Sequence, residues 1–85
     1  MRFGVQFRGQ VPAGGTRTWF THSWPESWRV LWQAVPTWPM VDGPAQLEWK
    51  IKVDRQAAGL VKYFIEVRNL TSGPVDFEAR YAVLN

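Results

Sequence analysis

Residues 47–84 read LEWKIKVDRQAAGLVKYFIEVRNLTSGPVDFEARYAVL. Three runs in this stretch alternate apolar and polar residues: Leu47, Trp49, Ile51, Val53; then Val61, Tyr63, Ile65, Val67; then Phe77, Ala79, Tyr81, Val83. A period of two is that of a β-strand, whose successive side chains point to opposite faces. The residues in between are mostly charged. Each strand therefore has one dry and one wet face, as in an antiparallel sheet over a core. The charges also select a register. With Asp54 opposite Lys62, Lys50 meets Glu66 and Glu48 meets Arg68, whereas a two-residue slide sets Glu48 against Glu66. The same matching joins the second run to the third, with Glu66 opposite Arg80 and Arg68 opposite Glu78. The stretch then reads as a three-strand meander with turns over 56–60 and 71–74. Its predicted dry face holds Trp49, Ile51, Val53, Tyr63, Ile65, Val67, Ala79 and Tyr81.

The first half supplies three more strands. Residues 2–8 alternate, with Phe3, Val5 and Phe7 expected on the dry side. GQVPAGG, residues 9–15, reads as a connection, because Pro12 removes a ladder donor and the glycines permit a bend. Residues 16–22 are rich in threonine and aromatics, although adjacent Trp19 and Phe20 blur the alternation. A turn at Pro25 leads to a third strand over 28–35. One face of that strand carries Trp28, Val30, Trp32 and Ala34. The other carries Arg29, Leu31, Gln33 and Val35 and is half apolar, which suggests cover on both sides. Residues 36–44 hold three prolines and read as a surface loop carrying Trp38 and Met40. The whole predicts one all-β domain over 1–85, a small antiparallel β-sandwich of six strands. The first three strands would form one sheet and the meander the other. A small barrel of the oligonucleotide-binding kind is the alternative.

The segment YFIEVRNLTSGPVDFEARY, residues 63–81, resembles hairpins of immunoglobulin-like sandwich modules. In those, a strand ending in V-x-N passes through a polar turn with proline into a strand with aromatics. The resemblance implies the sandwich class and, by analogy, an interaction module.

Composition removes several functions. The chain has no cysteine and one histidine, His22, so neither a thiolate metal site nor a histidine cluster can be built and no cofactor is expected. Ser23 adjoins His22, but neighbours on a strand point apart, which argues against a nucleophile–base pair. Glu48, Glu66 and Glu78 fall on a wet face beside cations, so no carboxylate dyad is desolvated there. The prediction is a non-enzymatic protein. The net charge of +3 with both signs interspersed speaks against nucleic acid as partner. No apolar run reaches the ~20 residues of a membrane helix. No signal-peptide pattern opens the chain, giving a cytoplasmic expectation unless a leader has been removed. Asn69-Leu70-Thr71 fits the glycosylation tripeptide, but a turn with asparagine in it is the better reading.

Six tryptophans in 85 residues are the remaining signal. Trp19, Trp28, Trp32 and Trp49 are expected in the core. Trp24 and Trp38 each precede a proline in a predicted loop and are expected to be exposed. Indoles stack on the C–H faces of sugars, so the leading expectation is a lectin-like, carbohydrate-binding module using Trp24, Trp38, His22, Glu26 and Asp42. The alternative is a self-assembling homo-oligomer whose interface includes Leu31, Val35 and Met40.

Overall fold

The computed structural model describes all residues from Met1 to Asn85 and contains six strands and no helix. They are β1 (Arg2–Val11), β2 (Thr16–Pro25), β3 (Val30–Trp38), β4 (Leu47–Ala57), β5 (Leu60–Asn69) and β6 (Val75–Val83). They form two three-stranded antiparallel sheets, as a β-sandwich requires, but the strands are shared out differently from the sequence expectation. One sheet has the order β1-β6-β3 and the other β2-β5-β4. Only the β4–β5 connection stays within a sheet; the other four cross between sheets.

The β4–β5 register is the one the charges select: Asp54 faces Lys62, Lys50 faces Glu66 and Glu48 faces Arg68. Lys50–Glu66 and Arg68–Glu48 both close as ion pairs at 3.4 Å. The predicted β5–β6 pairing does not form. Glu66 and Arg68 have Thr18 and Thr16 as their other neighbours, and β6 lies between β1 and β3. Charge matching fixes register once a partner is known, but it does not identify the partner. Glu78 satisfies itself equally well against Arg8 at 3.3 Å and Arg80 at 3.1 Å.

Asn69 explains why the chain changes sheet after β5. Its side chain is 1% exposed and fully used. Nδ2 donates to the Val11 carbonyl at 2.9 Å and the Gly73 carbonyl at 2.7 Å. Oδ1 accepts from the Thr71 N–H at 2.8 Å and the Thr71 hydroxyl at 2.7 Å. The backbone of Asn69 donates to Gly15, and Gly14 donates to Thr71. The turn after β5 is thereby tied to the end of β1 and the turn after it, and β6 is delivered beside β1. Asn69 is a corner clamp, and its buried amide offers no nitrogen for a glycan.

Bulges correct the strand readings of the first half. In β1 the register shifts between Val5 and Phe7. Phe7 then faces inward opposite Ala79, while Phe3 and Val5 share the outer face with Ala82 and Arg80. The strand also runs on to Val11, three residues past the expected end. In β2 a shift between Thr21 and Trp24, with Ser23 at φ 66°, changes the parity. Thr21 and Trp24 thus share the inner face, where Trp24 Nε1 donates to Thr21 Oγ1 at 3.0 Å. Trp28 precedes β3 instead of opening it. Pro36 and Trp38 belong to β3, which tolerates a proline because it is an edge strand.

The core is centred on Val67, Ile65, Val75, Phe77, Ala79 and Val11, residues of the two central strands and the end of β1. Phe7, Trp19 and Phe77 pack ring to ring at 5.0–6.0 Å. Gly9 makes room for them: a Cβ there would sit 2.8 Å from the Trp19 ring. Trp49 and Val53 were expected in the core, yet Trp49 is 41% exposed and Val53 more so. Both lie on β4, an edge strand, where the sandwich opens.

Candidate functional site

The five residues expected to bind carbohydrate do not meet. His22 and Ser23 were expected to point apart, but Ser23 lies in the bulge at φ 66° and its Oγ meets His22 Nδ1 at 2.9 Å, while the Ser23 N–H donates to Gln56 Oε1 at 2.7 Å. Glu26 is paired with Arg55, and its N–H donates to Gly59. Trp24 lies opposite Val61. These three sit at the end of the sandwich that holds the β4–β5 turn. Trp38 lies opposite Asp76, and Asp42 lines a hollow with residues 70–74, at the other end. Strand β5 runs between the two ends, and its ten residues separate them by about 30 Å. Trp24 is also not a surface platform. It is half-buried, with edge-to-face contacts to Trp28, Trp32, Tyr63 and Tyr81 at 5.4–6.2 Å. That aromatic end of the interior desolvates Tyr63 and pushes its phenol above the ordinary value. Trp38 is exposed as expected.

The largest concave surface lies elsewhere, on the outer face of β1-β6-β3. It is a groove of about 650 Å³ whose side chains include Phe3 and Val5 of β1, Leu31 and Gln33 of β3, and Arg80 and Ala82 of β6. Trp49 borders it. Phe3 is 78% and Leu31 58% exposed, so this apolar surface is open to water. Register builds it: Ala82 is opposite both Phe3 and Leu31, and Arg80 is opposite both Val5 and Gln33. Farther along the face, Glu78 sits between Arg8 and Val35, and Gln10 donates to Asp76 at 2.8 Å.

Of the interface residues expected from sequence, Leu31 lies in the groove and Val35 farther along the same face. Met40 lies outside it, in the segment between β3 and β4. Phe3 and Val5 escaped the sequence reading because strict alternation assigned them to the dry side with Phe7, and Trp49 because alternation does not show that β4 is an edge strand. The bulge at Gln6 carries no hydrophobic signature. The available hint was Gly4 and Gly9, of opposite parity, each lying under an aromatic ring.

The opposite outer face, on β2-β5-β4, is polar and carries two ion pairs, Lys50–Glu66 and Arg68–Glu48. It carries one aromatic spot where Phe20 faces Phe64 and Lys62 lies 5.7 Å and 5.9 Å from the two rings. No three His, Cys, Asp or Glu side chains converge. No helix is long and apolar enough to cross a membrane. The fold and groove thus define a small two-sheet β-sandwich with an open apolar face. Compared with known protein families, characterised proteins and solved structures, the chain matches none.

Proposed function

We propose that the protein is a non-enzymatic interaction module that self-associates face to face through the outer surface of β1-β6-β3. The observation that carries this reading is the exposed apolar groove of Phe3, Val5, Leu31 and Ala82. Contiguous apolar surface on a small soluble domain marks an interaction site. A second copy is the occupant that suits the face. A twofold interface sets one patch against itself, and this patch carries both signs of charge, with Glu78 between Arg8 and Arg80. Self-opposition therefore meets no single-sign field.

Size sets the strength. Three strands about 4.8 Å apart and nine residues long give a footprint of roughly 400 Å² before side-chain relief. A standard interface buries about 800 Å² per partner. The association is accordingly expected in the micromolar range, visible as a sedimentation coefficient that rises with concentration. Leu31→Asp places a short carboxylate in the patch, where burial leaves it without a partner. It is expected to raise the dissociation constant by about tenfold or more, with the circular dichroism spectrum unchanged. A wild-type chain that sediments as a monomer at every concentration refutes the proposal.

A further inference from the structure

We propose that the free edge of β4 accepts an extended peptide segment of another protein as a fourth strand of the β2-β5-β4 sheet, and that the segment it fits carries two carboxylates at alternate positions. An edge strand leaves a row of backbone N–H and C=O groups unpaired, which a further strand can take up. The sandwich has four edges, β1 and β3 in one sheet and β2 and β4 in the other. Three are interrupted. β1 bulges after Val5, β2 bulges after Thr21 and ends in Pro25, and β3 contains Pro36 with a bulge beside it. β4 alone runs regularly, over the nine residues from Leu47 to Arg55, without proline or bulge. Its inward side chains are also uncovered. Trp49 and Val53 lie opposite buried Val67 and Tyr63, yet Val53 is 56% exposed. β4 therefore overhangs the other sheet, and an added strand finds apolar side chains to pack beside.

Charge selects the occupant. On its outer face β4 shows Glu48, Lys50, Lys52 and Asp54 in that order. Glu48 and Lys50 have partners on β5, Arg68 and Glu66. Lys52 instead lies opposite Phe64 and forms no ion pair. A second copy of β4, paired antiparallel over the whole regular run, sets Glu48 against Asp54 and Lys50 against Lys52, so that like charge meets like at every charged place on that face. The other edges of a second copy offer these lysines nothing, because β1, β2 and β3 contain no Asp or Glu. The complement is a strand with one acidic residue opposite Lys50, another opposite Lys52, and an apolar residue between them opposite Ile51. Backbone hydrogen bonds supply its affinity and the alternate side chains its selectivity. The β4 edge belongs to the other sheet from the β1-β6-β3 face, so this inference stands apart from self-association there.

The test titrates the full chain with a capped seven-residue peptide, threonine at each end and valine alternating with two glutamates between, followed by amide chemical shifts and hydrogen exchange. Set antiparallel with its central valine opposite Ile51, the peptide places its glutamates opposite Lys50 and Lys52 and its outer valines opposite Trp49 and Val53. Binding is expected to shift β4 and to protect every second β4 amide, the signature of an added strand. Of two peptides N-methylated at alternate residues, one should bind and the other should not, since only one set of its N–H groups faces β4. Lys52→Glu is expected to weaken the glutamate peptide by about fivefold or more. Lys52 is exposed, so the circular dichroism spectrum of the variant should be unchanged. Leu31→Asp should bind the peptide like the wild type, which separates this edge from self-association. The proposal is overturned if millimolar peptide leaves β4 unshifted, if a peptide with lysines in place of the glutamates binds as well, or if both N-methylated peptides bind. Alternate β4 amides that become protected without peptide as the protein is concentrated also overturn it, because the occupant is then a second copy.

Discussion

Replacing Asn69 by alanine is expected to lower the unfolding free energy by about 3 kcal/mol. The amide donates to Val11 and Gly73 and accepts from Thr71, and the residue is buried. Alanine removes all of these bonds and leaves the Val11 carbonyl, among other groups, without a partner away from water. Each such loss costs on the order of 1 kcal/mol net. A domain of this length has about 4–13 kcal/mol in total, so the change removes a large share. Chemical denaturation should show a lower midpoint at unchanged slope. A loss below about 1 kcal/mol would mean that water replaces the amide at the corner and that Asn69 does not hold the chain reversal.

Truncation of Phe77 to alanine has the larger expected cost, about 3–5 kcal/mol. The ring is 1% exposed and meets Phe7 and Trp19 edge to face. It sits on central strand β6, where both sheets press on it, and the rings around it cannot collapse into the void without losing their own contacts. At the lower end of the stability range this variant is unfolded, and loss of the near-ultraviolet circular dichroism signal would report it. A cost under about 1.5 kcal/mol, as for a volume-conserving swap, would place the true core elsewhere.

The contrast between Phe77 and Trp49 shows what the sequence encodes. Both lie at apolar positions of alternating runs, yet Phe77 is central and Trp49 sits on an edge strand with much of its ring in water. Alternation states which face of the pleat a residue occupies. It does not state whether the strand has neighbours on both sides. The sandwich class, six strands and the β4–β5 register follow from local pattern and charge. The assignment of strands to sheets does not, because it rests on contacts between residues far apart in the chain, such as Asn69 with Val11 and Gly14 with Thr71. The outer groove was half legible. Leu31 and Val35 stood out as a second apolar face, but Phe3 and Val5 join them only because the bulge after Val5 flips the parity within β1. The carbohydrate grouping drew on both ends of a chain folded into a body 42 Å long, and nothing in residue spacing reports which end a turn occupies.

Self-association through the β1-β6-β3 face is most directly tested by following backbone amide chemical shifts while the protein is diluted from millimolar to low micromolar concentration. The expected shifts cluster on Phe3, Val5, Leu31, Gln33, Arg80 and Ala82, while Lys50, Lys52 and Phe64 on the opposite face stay constant. Shifts confined to β2-β5-β4, or none anywhere over that range, would contradict the account.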